Sequence, residues 1–119
     1  MAVVELNKDT FEDAVKDHSF VIVDFWAPWC GPCRSFAPTY EKVSEEFPDI
    51  LFAKVNTEDE QEIAAHFSIR SIPTLMVFRD NIIIYSEAGA LPEAAFRELV
   101  SKAGELDMDE VRKQVEEQQ

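Results

Sequence analysis

The stretch from Phe20 to Trp26, Phe-Val-Ile-Val-Asp-Phe-Trp, constrains the fold more than any other part of the chain. It is apolar at almost every position and rich in β-branched and aromatic residues. A half-solvated strand would alternate apolar and polar residues; a near-continuous run needs cover on both faces, as in the middle of an α/β sheet. Asp24 interrupts the run, and a carboxylate there is costly unless it is paired or protonated. A turn-rich segment follows directly, Ala27-Pro28-Trp29-Cys30-Gly31-Pro32. Then Phe36, Tyr40, Val43 and Phe47 recur at helical spacing, which predicts a helix over Cys33 to Phe47 with Pro38 inside it.

The flanking segments repeat the alternation. Val3 to Leu6 reads as a strand. Asp9 or Thr10 is expected to cap a helix reaching about His18, with Phe11, Ala14 and Val15 as its apolar stripe. Ile50 to Val55 reads as a strand and Glu60 to Phe67 as a short helix. Thr74 to Arg79 and Ile82 to Ser86 read as strands joined at Asp80-Asn81, where Asn tolerates the left-handed backbone of a tight hairpin. Pro92 opens a helix to about Lys102, which Gly104 is expected to end. The order β-α-β-α-β-α-β-β-α predicts an α/β fold, a central mixed sheet with helices on both faces.

A chain of 119 residues suits one domain. The expected boundaries are 1–105 for the domain and 106–119 for an acidic C-terminal extension. In the extension Met108, Val111 and Val115 share one helical face, and Asp107 or Asp109 can cap it. Alone such a helix is marginal, so a loosely docked extra helix is the expectation.

Lys and Arg number 11 against 24 Asp and Glu, a net charge of −13. A surface that acidic repels phosphate backbones and anionic lipid, so neither nucleic acid nor membrane is expected as a partner. No purely apolar run is longer than that of Phe20 to Val23, which is too short to span a bilayer. Met1 to Thr10 has no basic stretch followed by an apolar one, which makes the cytoplasm the expected compartment.

The chemistry concentrates at Cys30 and Cys33. A lone CxxC can be half a zinc site, a structural disulfide or a redox pair. Zinc needs four ligands, and only the distant His18 and His66 could complete a set, so no metal is expected. A bridge across two residues constrains little chain entropy, so it has small structural value. The redox reading remains, and its context supports it. Cysteines at i and i+3 on one helical turn can bond with little backbone movement. Cys30 would sit at a helix N-terminus, where free amides and the dipole favour a thiolate, which makes it the nucleophile. Cys33, inside the first turn and deeper, would be the resolving thiol. Trp29 is expected at the surface and Trp26 in the core.

Phe25-Trp26-Ala27-Pro28-Trp29-Cys30-Gly31-Pro32-Cys33 resembles the active-site segment of the thioredoxin family. Ile72-Pro73-Thr74 and Ala88-Gly89-Ala90-Leu91 resemble two further segments of that family, and the likeness spans about residues 3 to 105. The resemblance implies the thioredoxin fold and a thiol-disulfide oxidoreductase, a protein-disulfide reductase acting on client proteins by dithiol-disulfide exchange. It implies no bound cofactor beyond the redox-active Cys30–Cys33 disulfide. Electrons would come from NADPH through a flavoprotein, thioredoxin reductase, and the protein would be a monomer. Asp24 matches a buried carboxylate that moves protons to and from the resolving thiol, with a raised pKa. Lys54 matches its cationic neighbour, and Pro73 a cis proline that aligns client backbone. Trp29, Gly31, Pro32, Ile72, Gly89 and Ala90 match the apolar client surface. Thr57, Ser71, Asn81 and Arg34 depart from common family choices; Thr57 implies a weaker client rim. The competing reading is a thioredoxin-fold binding or chaperone-like module with dispensable cysteines.

Overall fold

The computed structural model describes residues 2–118. Its elements run β1 (Val3–Glu5), α1 (Phe11–Asp17), β2 (Phe20–Trp26), α2 (Gly31–Glu46), β3 (Leu51–Asn56), α3 (Gln61–His66), β4 (Thr74–Arg79), β5 (Ile82–Ala88), α4 (Glu93–Glu105) and α5 (Met108–Glu117). The sheet order is β1-β3-β2-β4-β5. The apolar run is therefore the central strand. It pairs in parallel with β3 and antiparallel with β4, so the sheet is mixed.

Because side chains alternate along a strand, β2 feeds two separate cores. Val21, Val23 and Phe25 point to one face, where they pack with Phe11 and Val15 of α1, Ile63 of α3 and Phe78 of β4. Ile22 points to the other, among Phe36, Tyr40 and Val43 of α2 and Phe96 and Val100 of α4. Tyr40 stacks on Phe96 with ring centroids 5.5 Å apart. Phe25, Phe52 and Phe96 are wholly buried. Each contributes roughly 2–3 kcal/mol of apolar burial.

The β4–β5 turn takes the expected form, with Asp80 and Asn81 both left-handed at φ 52° and 65°. Two end signals act differently from the sequence reading. Thr10 occupies the N-cap of α1, but its side chain makes no capping bond. Asn7 instead caps the turn that leads into the helix: its Oδ1 accepts from the amides of Asp9 and Thr10 at 2.9 and 3.1 Å. Gly104 does not end α4, which continues through it to Glu105. There the helix packs on Phe20, and the Arg79 guanidinium donates to the Ala103 carbonyl. A strand side chain thus satisfies an end group that a glycine turn would otherwise supply.

The extension is anchored by more than its thin stripe. Asp107 caps α5 by accepting from the amides of Asp109 and Glu110. Met108 is buried, and Arg112 pairs with Asp80 of the hairpin turn at 2.7 Å.

Candidate active site at the end of the central strand

β2 ends at Trp26, and a single turn brings the chain into α2. The amide of Cys30 donates to the Ala27 carbonyl at 3.2 Å, closing that turn. Cys30 is the N-cap of α2, with Pro32 in the first turn, where its missing donor leaves no bond unmade. The Cys30 Sγ accepts from the Cys33 amide at 3.2 Å. A sulfur so placed faces the free amides of the first turn and the positive end of the helix, both of which stabilise negative charge. Arg34 braces the loop from outside, donating to the Pro28 carbonyl at 2.9 Å.

Cys30 and Cys33 are bonded as a disulfide, with Cα atoms 5.2 Å apart. Both are buried in this oxidised pair, packed with Ala27 against Trp26 and Ile72. The surface above them is apolar. Trp29 is 68% exposed, and Gly31, Pro32, Gly89 and Ala90 are exposed around it. Trp26 is half-buried, a rim residue and not a core one. The Ile72 carbonyl lies 3.7 Å from the Cys30 Sγ, and the Ile72–Pro73 peptide is cis. The Gly89 amide donates to the Pro73 carbonyl at 2.7 Å, which joins the two outlying segments beside the pair. Gly89 has φ +108°, a backbone that other residues rarely adopt. Thr57 turns its hydroxyl to the Trp26 carbonyl at 3.1 Å and so holds the strand end.

Beneath the pair lies a cavity of about 80 Å³ lined by Asp24, Trp26, Cys33, Tyr40, Glu41 and Lys54, among others. Asp24 is 4% exposed. Burial pushes its carboxyl up to about 7, against the opposing pull of Lys54. Asp24 and Lys54 are register neighbours on β2 and β3. The Lys54 ammonium lies 4.6 Å over the Trp26 ring. Tyr40 closes the floor, its hydroxyl 2.6 Å from the Ala53 carbonyl and 3.0 Å from that of Ile22.

Contacts at the site bring together Asp24, Cys30, Cys33, Lys54, Ile72, Pro73 and Gly89, from β2, α2, β3 and the loops before β4 and after β5. Two further ones, Tyr40 and Glu41, are not marked by sequence pattern as belonging to it. The signal available for Glu41 was its helical spacing, Cys33, Ala37 and Glu41 falling at successive i+4 positions.

A redox-active disulfide at a helix N-terminus, set at the end of a central strand in a mixed five-stranded sheet, defines a thiol-disulfide oxidoreductase. The thioredoxin family model matches residues 2–102. A thioredoxin-type protein of Streptomyces coelicolor is 52% identical over 118 residues, covering 99% of this chain and 88% of its own. The thioredoxin of Bacillus subtilis is 39% identical over 103 residues, covering 86% of this chain and 98% of its own. Among solved structures, a mutant thioredoxin from Halobacterium salinarum superposes with a TM-score of 0.81 at 29% identity, covering 88% of this chain and 93% of its own. The chain belongs to the thioredoxin family. Its sheet and flanking helices form the thioredoxin fold, and α5 is a further C-terminal helix.

Proposed function

We propose that the protein is a general reductase of client-protein disulfides, working as a cytoplasmic monomer recharged by an NADPH-dependent flavoprotein, thioredoxin reductase. The observation that carries this reading is the position of Cys30 as N-cap of α2 with its sulfur accepting the Cys33 amide. In the reduced protein the same geometry favours the Cys30 thiolate.

That thiolate attacks one sulfur of a client disulfide. A Cys30–client bond forms, the client S–S bond breaks, and the second client sulfur leaves as a thiolate that takes a proton from solvent. Cys33 loses its proton to the Asp24 carboxylate and attacks the Cys30 sulfur. The Cys30–Cys33 bond forms, and the first client sulfur leaves and is protonated in turn. Two electrons pass to the client and the cysteine pair is oxidised. Asp24 suits proton exchange near neutrality because burial lifts its carboxyl into that range. Lys54 limits that rise, since a cation beside the carboxylate favours its charged form. Pro73 and Ile72 flank the sulfurs and align client backbone, while Trp29, Gly31, Pro32, Gly89 and Ala90 offer it an uncharged platform. Residues 1–105 carry this chemistry, and 106–119 extend it structurally.

The test is insulin-disulfide reduction coupled to NADPH and a flavoprotein reductase. Wild type turns over, whereas Cys33→Ser stops after one attack and accumulates protein–insulin mixed disulfide on non-reducing gels. Lack of turnover by wild type, with no adduct in the variant, would leave a binding module whose cysteines are dispensable.

A further inference from the structure

We propose that Glu41 is the outer station of the proton path serving Cys33, passing the proton between Asp24 and solvent. The inference rests on the role proposed above for Asp24 and adds the step that role leaves open. A carboxyl can take the Cys33 proton only after giving up any proton it already carries, and Asp24 is buried too deeply to give that proton directly to solvent.

Among the described residues, the buried side-chain polar atoms without a hydrogen-bond partner are Asp24 Oδ1, Trp26 Nε1 and Glu41 Oε1. All three residues line the one cavity that also reaches Cys33. Buried polar atoms are ordinarily satisfied, so three orphans around one space of about 80 Å³ point to water shared among them. Glu41 differs from Asp24 in that its Oε1 is buried while the residue as a whole is only half-buried, so the side chain stands at the boundary of the cavity. Its Cα lies two turns beyond Cys33 on α2, but helical side chains lean toward the N-terminus, back over the cavity.

The other groups facing this space cannot do the work. Lys54 and Arg34 carry only hydrogen-bond donors, with no lone pair to accept a proton. The Tyr40 hydroxyl is committed to the Ile22 and Ala53 carbonyls, and burial raises its pKa far from neutrality. Trp26 Nε1 only donates. Glu41 is the remaining proton acceptor on the wall. In the step, the proton on Asp24 moves through cavity water to the Glu41 carboxylate and then to solvent. No electron moves, and the Asp24 carboxylate is regenerated. Acting through Asp24, Glu41 is a positioning residue for the proton and touches neither sulfur.

The experiment is single-turnover reduction of insulin by the reduced protein between pH 5.5 and 9, with acid quench separating mixed disulfide from oxidised product. Wild type, Asp24→Asn, Glu41→Gln and Glu41→Asp are compared. Glu41→Gln is expected to leave mixed-disulfide formation unchanged and to slow its resolution by about 3- to 10-fold near neutrality, less than the roughly 100-fold of a direct acid-base group. The pH profile of resolution should change with it, and Glu41→Asp should restore both. If Asp24→Asn slows resolution but Glu41→Gln matches wild type at every pH, the Glu41 inference fails alone. If Asp24→Asn is also without effect, the Asp24 role falls and takes the inference with it. An equal slowing of both steps at all pH values, not rescued by Asp, would mark Glu41 as merely structural and overturn the proposal.

Discussion

The two faces of the sheet share five strands but differ in what their helices bring. On the α1/α3 face the interior is hydrocarbon: Phe11, Phe25, Phe67 and Phe78 lie at ring spacings of 5.4 to 6.2 Å. That face also carries the larger concavity, a groove of about 650 Å³ open to solvent. The α2/α4 face encloses only about 80 Å³, yet it holds Asp24, Cys33 and the three unpartnered polar atoms. Chemistry has gone to the smaller space. The large groove is edged by solvated side chains such as Lys8, Glu12, Lys16 and Glu62, whereas the small cavity is lined by buried polar atoms that need a shared solvent.

The contrast breaks most sharply under truncation of the hydrocarbon side. Phe25→Ala should cost about 3–5 kcal/mol of unfolding free energy, since a ring with no exposure leaves a cavity behind. Guanidinium unfolding measures it, and the loss should be the same at pH 5 and pH 8. On the other face the sign reverses and pH matters. Asp24 has a folded-state pKa near 7, raised from 3.8. The folded protein therefore binds the extra proton, and the stability that goes with it is full below about 3.8 and lost as pH rises through 7. Asp24→Asn removes the buried charge. It should be more stable than wild type at pH 8, by up to about 4 kcal/mol at roughly 1.4 kcal/mol per pH unit, and close to wild type at pH 4. Equal stabilities at both values would mean that Asp24 titrates as an ordinary surface acid. The smallest effect belongs to the end of α4. Gly104 is helical, and a Cβ there would meet the Phe20 ring at 3.4 Å, ordinary contact. Gly104→Ala should gain about 0.5–1 kcal/mol in thermal or denaturant unfolding, and a loss would show that the Phe20 contact is already tight.

The same contrast explains what could be read from the residues. Two-sided burial of β2 is written in its composition, and Asp24 is conspicuous because it breaks that composition. Cys30 and Cys33 are legible because their spacing is meaningful within one helical turn. Glu41 is not: one acid among 24 on an acidic chain reads as a solvated helix face. The successive i+4 spacing from Cys33 puts it on the right face of α2, but that this face closes over Asp24 and Lys54 is a long-range fact that local pattern does not encode. Asn7 and Arg79 escaped for a related reason. Asn7 caps the turn that leads into α1, and Arg79 reaches the Ala103 carbonyl across 24 residues of sequence. Side chains that satisfy another segment's backbone leave no periodic trace.

The platform around the sulfurs, formed by Trp29, Gly31, Pro32, Ile72, Gly89 and Ala90, contains no ionisable side chain, although the chain as a whole carries −13. An uncharged surface of this kind exerts little electrostatic pull of its own at a distance. Encounter there is decided by fit at short range and not by the net charge of the chain.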